Sequence, residues 1–332
     1  KISLVTTLLS GILGITLAYK GYGVWSLVWQ GVFANLLRTV LLLFATKWYP
    51  KWQFSMHSFK YLFNFGSKIL TASLLHTVYA NMTTLIIGKY YSAKDLGYYS
   101  RGESMAALPS TNITGILGGV TYPILSKIQN DDKRLIAVYR KYIAITSMVI
   151  FFGMLLLAAL AKPFIIAVLT EKWANSIIFL QIFCFALMFD HLCQLNLNIL
   201  YVKGRSDLVL RLEVIKKTIS ISMIIAAIPF GVLAICIARA IYTQIAVIIN
   251  TYYTGKLYGL GYFEQVKDFI KYLFYSAVAV APAYALSFTA IHPILVLLIG
   301  GTSASAIYWF LLRKDSNLLE LVTLCKSHLF GK

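Results

Sequence analysis

The sequence has few charged residues, few cysteines and none of the common catalytic motifs. Only 13% of its 332 residues are charged, while 59% are hydrophobic; soluble domains carry about 25% charged residues. The mean hydropathy is +0.75. Its four cysteines form no CxxC pair, which indicates neither a disulfide framework nor a zinc site. The composition excludes an ordinary soluble enzyme and predicts an all-α, polytopic membrane helix bundle.

Motifs that would reveal an enzyme or a pump are absent from the sequence. It contains no GxxxxGK[ST] loop for nucleotide phosphates, no HExxH and no GxSxG. The five histidines do not cluster as metal ligands do. We therefore expect no catalytic residue, no metal and no cofactor.

Stretches of about 20 mostly apolar residues can cross the hydrocarbon core of a bilayer. Ten such stretches are predicted: Ile2–Tyr19, Val24–Thr46, Gly66–Gly88, Met105–Leu125, Tyr142–Ala161, Ala174–Val202, Thr218–Pro229, Val232–Tyr253, Tyr272–Ala290 and Ile294–Leu312. The seventh becomes long enough only if it begins near Leu210. The chain starts with Lys1 rather than methionine, so we expect an N-terminal part to be missing.

The net charge of +18 is distributed unevenly along the chain. Lysine and arginine concentrate in the segments after the even-numbered spans and in the C-terminal tail. Such an excess marks cytoplasmic loops and attracts anionic membrane lipids, so these segments are predicted to be cytoplasmic and no nucleic-acid partner is expected. Residues 48–65 and the tail after Arg313 have the pattern of amphipathic interfacial helices. For the tail, a partner-binding helix is the alternative.

Ionisable residues inside the spans are the candidate functional residues, because burying a charge in hydrocarbon costs at least about 2.5 kcal/mol. Arg38 lies about 12 Å from the end of the second span at Thr46. Its guanidinium could bind an anion in a bidentate manner or form a structural pair with a carboxylate from another helix. Arg239 either lines a cavity or reaches outward to the interface. Overall, the predicted spans contain more arginine than carboxylate, with Asp190 as the exception.

Five further residues have a functional and a structural interpretation. Asp190 and His191 lie near the centre of the sixth span, where they could couple transport to protons or cations or fix helix packing. Neighbours in a helix point about 100° apart, so at most one faces a given cavity. His76 and Asn81 could line a cavity or bond between helices. Arg101 could lie at a cavity mouth or in an exposed loop pair with Glu103.

Several segments resemble one family of membrane proteins. They are Phe65-Gly66-Ser67, residues 86–92, residues 96–101, Leu108-Pro109, residues 122–129, Lys172-Trp173 and residues 202–207. Together they are similar to the C-terminal lobe of polysaccharide flippases. These are the Wzx-type members of the multidrug/oligosaccharidyl-lipid/polysaccharide (MOP) exporter superfamily.

This resemblance implies a transporter of two six-helix lobes around a central cavity, here lacking roughly the first four helices. The implied division is residues 1–47 as the last two helices of the N-terminal lobe, 48–65 as a cytoplasmic interfacial linker, 66–257 as the six-helix C-terminal lobe, 258–312 as two additional helices and 313–332 as a cytoplasmic amphipathic tail.

The function that the resemblance implies is flipping of an undecaprenyl pyrophosphate-linked oligosaccharide across the bacterial inner membrane. The product would serve O-antigen, capsule or exopolysaccharide assembly, with membrane lipids and other polysaccharide-assembly proteins as partners. Two alternatives stay open. One is a cation-coupled drug or metabolite antiporter of the same superfamily, and the other is a membrane-embedded polysaccharide polymerase or glycosyltransferase.

Overall fold

The computed structural model describes residues 2–46, 55–56, 59–60, 63, 77–78, 80–289 and 291–319. Over these residues the regular structure consists of helices, with no strand, which confirms the predicted all-α class. The chain divides into two compact units, Lys1–Thr77 and Val78–Lys332. The domain boundaries implied by the family resemblance stay a prediction.

The first unit contains an antiparallel pair of apolar helices, α1 (Ile2–Tyr19) and α2 (Trp25–Thr46). Both agree with the predicted spans to within one residue. Gly21 and Gly23 adopt positive φ values of 85° and 52° in the turn between them, a conformation that glycine adopts without steric cost.

The second unit starts with a helical segment at residues 80–90, here α3. The helices that follow are α4 (Ala93–Lys127), α5 (Asp132–Ala159), α6 (Ala161–Leu169), α7 (Ser176–Leu187), α8 (Asp190–Val202), α9 (Ser206–Ala227), α10 (Val232–Tyr258), α11 (Tyr262–Leu286) and α12 (Pro293–Leu312). Their core is aromatic and aliphatic, and Tyr139, Phe151 and Phe183 are fully buried in it. Helix α5 packs extensively on α11, and α4 packs on α7 and α8.

Four helices, α4, α5, α9 and α11, begin ten to twelve residues before the predicted spans. Helix α4 starts at Ala93, twelve residues before Met105, because Ser92 caps it by accepting a hydrogen bond from the Asp95 N–H at 3.1 Å. Its 35 residues extend over about 52 Å, longer than the hydrocarbon core of a bilayer. Helix α9 starts at Ser206 rather than Thr218 and has 22 residues, but it is not among the stretches that are apolar enough to cross a membrane, so the seventh span stays a prediction. Conversely, the sixth predicted span is divided into α7 and α8.

Ion pairs collect at one end of the second unit. Lys203 Nζ lies 2.5 Å from Asp132 Oδ1, and Arg140 Nη2 lies 2.7 Å from Asp268 Oδ1. At the opposite end, the Tyr91 hydroxyl accepts a hydrogen bond from the Gly231 N–H at 3.1 Å. The segments that meet at each end are those that the charge pattern assigns to the same side of the membrane.

Six helical stretches of the described residues are long and apolar enough to cross a membrane, judged by length and composition. The expected number of about ten stays a prediction. The interfacial segment at residues 48–65 falls mostly outside the described residues, and so does most of the amphipathic tail.

Candidate functional site

Arg239 is held inside the second unit by helix α4. It lies seven residues after the start of α10, about 10 Å along the helix. Its Nη1 donates to the Tyr99 hydroxyl at 2.9 Å and pairs with Glu103 Oε1 at 2.5 Å. Tyr99 and Glu103 are four residues apart and therefore lie on one face of α4. The guanidinium carbon also lies 5.3 Å from the centre of the Phe183 ring. The guanidinium is therefore contacted by polar groups of α4 and by an aromatic ring of α7.

A cavity of about 260 Å³ adjoins this guanidinium, here called the Arg239 cavity. It is lined by Ala80, Met82, Thr83, Ser220, Ile224, Arg239 and Tyr242. Both hydrogen bonds of Arg239 run through Nη1, so Nε and Nη2 make none to the part of the chain that the structure describes. The arginine side chain is 28% exposed. The arrangement therefore offers unused charged donors to an anion that enters the cavity.

Lys216 is a second cation within the helices of the second unit. Because α9 begins at Ser206, Lys216 lies near the middle of that helix, about 15 Å from either end. It is only 7% exposed, and its Nζ lies 2.5 Å from Glu213 Oε1, one turn earlier. An ion pair at this depth offsets part of the cost of burying each charge.

Asp190 and His191 have different surroundings, as their adjacent positions on a helix require. His191 is buried; Nε2 lies 2.8 Å from the Ser147 hydroxyl and Nδ1 lies 2.8 Å from the Met188 carbonyl. These two bonds support the packing interpretation for His191. Asp190 is partly exposed at the start of α8 and makes no hydrogen bond to the described residues. Arg239 and Lys216 are the cations near enough to attract its carboxylate.

Of the other four candidate residues, three lie within the described part of the chain. Arg38 is exposed on α2, in the first unit. The structure places Arg101 inside α4 rather than in a loop, with its guanidinium carbon 5.1 Å from the Trp173 ring centre. Asn81 is exposed on α3. His76 lies outside the described residues.

Four residues of the cluster around Arg239 and Asp190 were not among the candidates chosen from the sequence: Tyr99, Glu103, Glu213 and Lys216. The cluster around Arg239 and Asp190 contains two cations, Arg239 and Lys216, and three carboxylates, Glu103, Asp190 and Glu213. One available signal was the pattern Ser92-x-x-Asp95, which is typical of a helix start. That pattern extends α4 far enough to include Glu103.

A family model described as "Polysaccharide biosynthesis protein" matches residues 1–178, more than half of the chain. The chain belongs to this family. The resemblance found in the sequence is therefore confirmed, and this family member is a multi-pass membrane protein.

Named relatives agree with this assignment. The teichuronic acid biosynthesis protein TuaB of Bacillus subtilis is 26% identical over 50% of this chain and 34% of its own length. The lipopolysaccharide biosynthesis protein WzxC of Escherichia coli K12 is 26% identical over 80% of this chain and 53% of its own. The chain thus spans about a third to a half of the length of these two relatives.

A solved structure titled lipid II flippase MurJ, in an inward closed conformation, has the same fold. Its TM-score to this chain is 0.68 at 17% identity, and the match covers 94% of this chain and 66% of MurJ. This likeness confirms the predicted MOP-type fold class and concerns the fold alone.

Proposed function

We propose that this chain forms part of a flippase. The flippase translocates undecaprenyl pyrophosphate-linked oligosaccharide units across the bacterial inner membrane, for O-antigen, capsule or exopolysaccharide assembly. The observation that carries the proposal is the Arg239 cavity, in which a guanidinium inside an apolar helical unit keeps two nitrogens available. An intramembrane charge of this kind is a functional site by default. Membership of a polysaccharide biosynthesis family supports the same conclusion.

The chemistry of the substrate fits this cavity. A pyrophosphate cannot cross hydrocarbon without counter-charge, since unpaired ions are very costly to desolvate. Arg239 supplies a planar donor that matches a phosphate oxygen pair. Thr83 and Ser220, which also line the cavity, supply hydroxyls for hydrogen bonds. The cavity is too small for the whole substrate, so we assign to it only the charged head.

The remaining assignments complete the proposal. Asp190 serves as the coupling residue, because its carboxylate makes no hydrogen bond to the described residues and is attracted by the charge of Arg239. His191 contributes to helix packing instead. Arg38, Arg101, His76 and Asn81 are further cavity candidates. The end of the second unit with the ion pairs of Asp132 and Asp268 faces the cytoplasm, as the positive-inside pattern indicates.

A cation-coupled antiporter is the second candidate. The three interior carboxylates favour it, since acidic groups attract cationic substrates. Proton-dependent efflux of a cationic dye by the full-length parent would support the antiporter, and its absence would count against it.

The test of the flippase uses the full-length parent gene, deleted in its host. The side of the inner membrane that holds the lipid-linked oligosaccharide is then measured. We expect it to accumulate on the cytoplasmic leaflet while its synthesis continues. The wild-type gene and the exposed-site control Arg211→Ala should restore transfer, whereas Arg239→Ala should not. A deletion that leaves the leaflet distribution unchanged would overturn the proposal.

A further inference from the structure

A second cavity, of about 530 Å³, lies at the end of the second unit opposite the ion pairs of Asp132 and Asp268. We call it the Trp173 pocket. It is lined by Ala93, Lys94, Gly97, Tyr98, Lys172 and Trp173. Its volume falls within the roughly 300–1,000 Å³ that is typical of small-molecule sites. It shares no lining residue with the Arg239 cavity.

Three cations surround this pocket without acidic partners. Lys94 Nζ lies 5.9 Å from the Tyr98 ring centre, and the Arg101 guanidinium lies 5.1 Å from that of Trp173. Neither these two nor Lys172 makes an ion pair within the described residues. Two carboxylates are near in sequence: Asp95, which accepts a hydrogen bond from the Ser92 hydroxyl, and Glu171, which precedes Lys172. Three cations against two carboxylates leave a net positive charge around the pocket, and this charge attracts anions.

Two aromatic side chains also line the pocket. The rings of Tyr98 and Trp173 meet edge to face at 6.1 Å. Trp173 lies beside Gly97 of α4, where an added Cβ would be in ordinary van der Waals contact with its Cζ3 at 3.9 Å. The face of an aromatic ring carries partial negative charge and suits the C–H face of a sugar ring.

We propose that the Trp173 pocket binds an acidic sugar residue, with the sugar ring on the aromatic face and its carboxylate between Lys94 and Lys172. A phospholipid headgroup would use the same charges but has no ring of this kind to lie on the indole. The proposal rests on the proposed function, because the flippase orientation places the pocket on the outer side. There it would hold an anionic glycan after transfer.

The experiment measures binding of fluorescently labelled trigalacturonate to the full-length parent in phosphatidylcholine nanodiscs. Maltotriose with the same label is the neutral probe. We expect the double variant Lys94→Ala/Lys172→Ala to bind trigalacturonate at least about tenfold more weakly, because two charge-assisted contacts are lost. Lys162→Ala, which removes an exposed lysine elsewhere, should stay within about twofold of wild type.

Gly97→Leu provides a second variant, because it fills the pocket and leaves all three cations in place. It should weaken trigalacturonate binding as the double variant does. Wild-type affinity in both variants, no binding by the wild type, or equal affinity for maltotriose would overturn the proposal. Displacement of trigalacturonate when phosphatidylglycerol replaces part of the lipid would also overturn it, by identifying a headgroup site.

The same assay separates this inference from the proposed function. Arg239→Ala should bind trigalacturonate like wild type, since Arg239 lies in the other cavity. Loss of binding in that variant would show that the probe occupies the Arg239 cavity and would overturn the proposal for the Trp173 pocket. The two proposals can also fail separately. If the parent binds trigalacturonate through Lys94 but its deletion leaves the leaflet distribution of the lipid-linked oligosaccharide unchanged, the flippase proposal is refuted and the proposal for the Trp173 pocket stands.

Discussion

Substitution of Arg239 and substitution of Glu103 should change the affinity for a prenyl pyrophosphate in opposite directions. In the proposed site, Glu103 competes with the pyrophosphate for the guanidinium. Arg239→Ala removes the donors at Nε and Nη2, and charge-assisted hydrogen bonds contribute about 1.5–3 kcal/mol each. Two such bonds amount to at least about 3 kcal/mol, so we expect a prenyl pyrophosphate to bind at least about 100-fold more weakly.

Glu103→Gln keeps the shape of the side chain and removes the competing charge. Binding should tighten by up to about tenfold, or 1.4 kcal/mol, since a partly exposed pair is screened by solvent. The side chains of Arg239 and Glu103 are 28% and 25% exposed. For the same reason, loss of the pair should lower the free energy of unfolding by only about 1–2 kcal/mol, less than for a fully buried pair.

The assay is titration of a prenyl pyrophosphate against the purified full-length parent in nanodiscs, with Arg211→Ala as the control for loss of one exposed guanidinium. The double variant Arg239→Ala/Glu103→Gln should bind as weakly as Arg239→Ala alone, because Glu103 acts only through the guanidinium. Equal weakening by Arg239→Ala and Glu103→Gln would refute the reasoning, since it would make the pair purely structural.

Three further predictions concern single residues. His191→Ala should lower the free energy of unfolding by about 3 kcal/mol, because a buried hydrogen-bonded ring is lost; the Tm should fall while the pH profile of transport keeps its shape. Asp190→Asn should flatten that pH profile without weakening pyrophosphate binding; an unchanged profile would remove Asp190 from coupling. Burial raises the pKa of Asp315, but hydrogen bonds from Lys271 and the Asn317 N–H outweigh it and hold that pKa below its ordinary value. This carboxylate therefore stabilises the fold at neutral pH and loses that effect as the pH falls through the lowered pKa. The protection factors of amides near the end of α12, which correct for the intrinsic exchange rate at each pH, should therefore fall below about pH 4, and already at neutral pH in Asp315→Asn.

Span positions followed from hydropathy where the ends of a helix are apolar, as in α1 and α12. The helix ends differ from the predicted span ends where a helix extends beyond the apolar stretch, because hydropathy does not register a charged turn that stays helical. Helix α4 begins at a Ser92 cap in polar sequence, and α9 continues through Glu213 and Lys216. These extensions place charged residues inside the bundle. The same cause therefore explains why the helix starts were placed too late and why these charged residues were not among the site candidates.

The pairing of Arg239 was not accessible from sequence for a different reason. Glu103 precedes Arg239 by more than a hundred residues, and only the packing of α4, α7 and α10 brings them together. Burial cost alone identified Arg239, because it depends on the position within one span. The choice between lining a cavity and reaching outward to the interface depends on neighbouring helices, and in the structure Arg239 lines a cavity and pairs with Glu103.

That combination explains how the site can stay charged without substrate. A lone guanidinium in hydrocarbon costs at least about 2.5 kcal/mol, which Glu103 and the Tyr99 hydroxyl offset. Because both bonds use Nη1, an incoming anion can occupy Nε and Nη2 before it displaces Glu103. The same carboxylate can then recapture the guanidinium as the anion departs. Under the proposed function, Glu103 therefore stabilises the empty transporter and limits the affinity of the loaded one, as a carrier that must release its substrate requires.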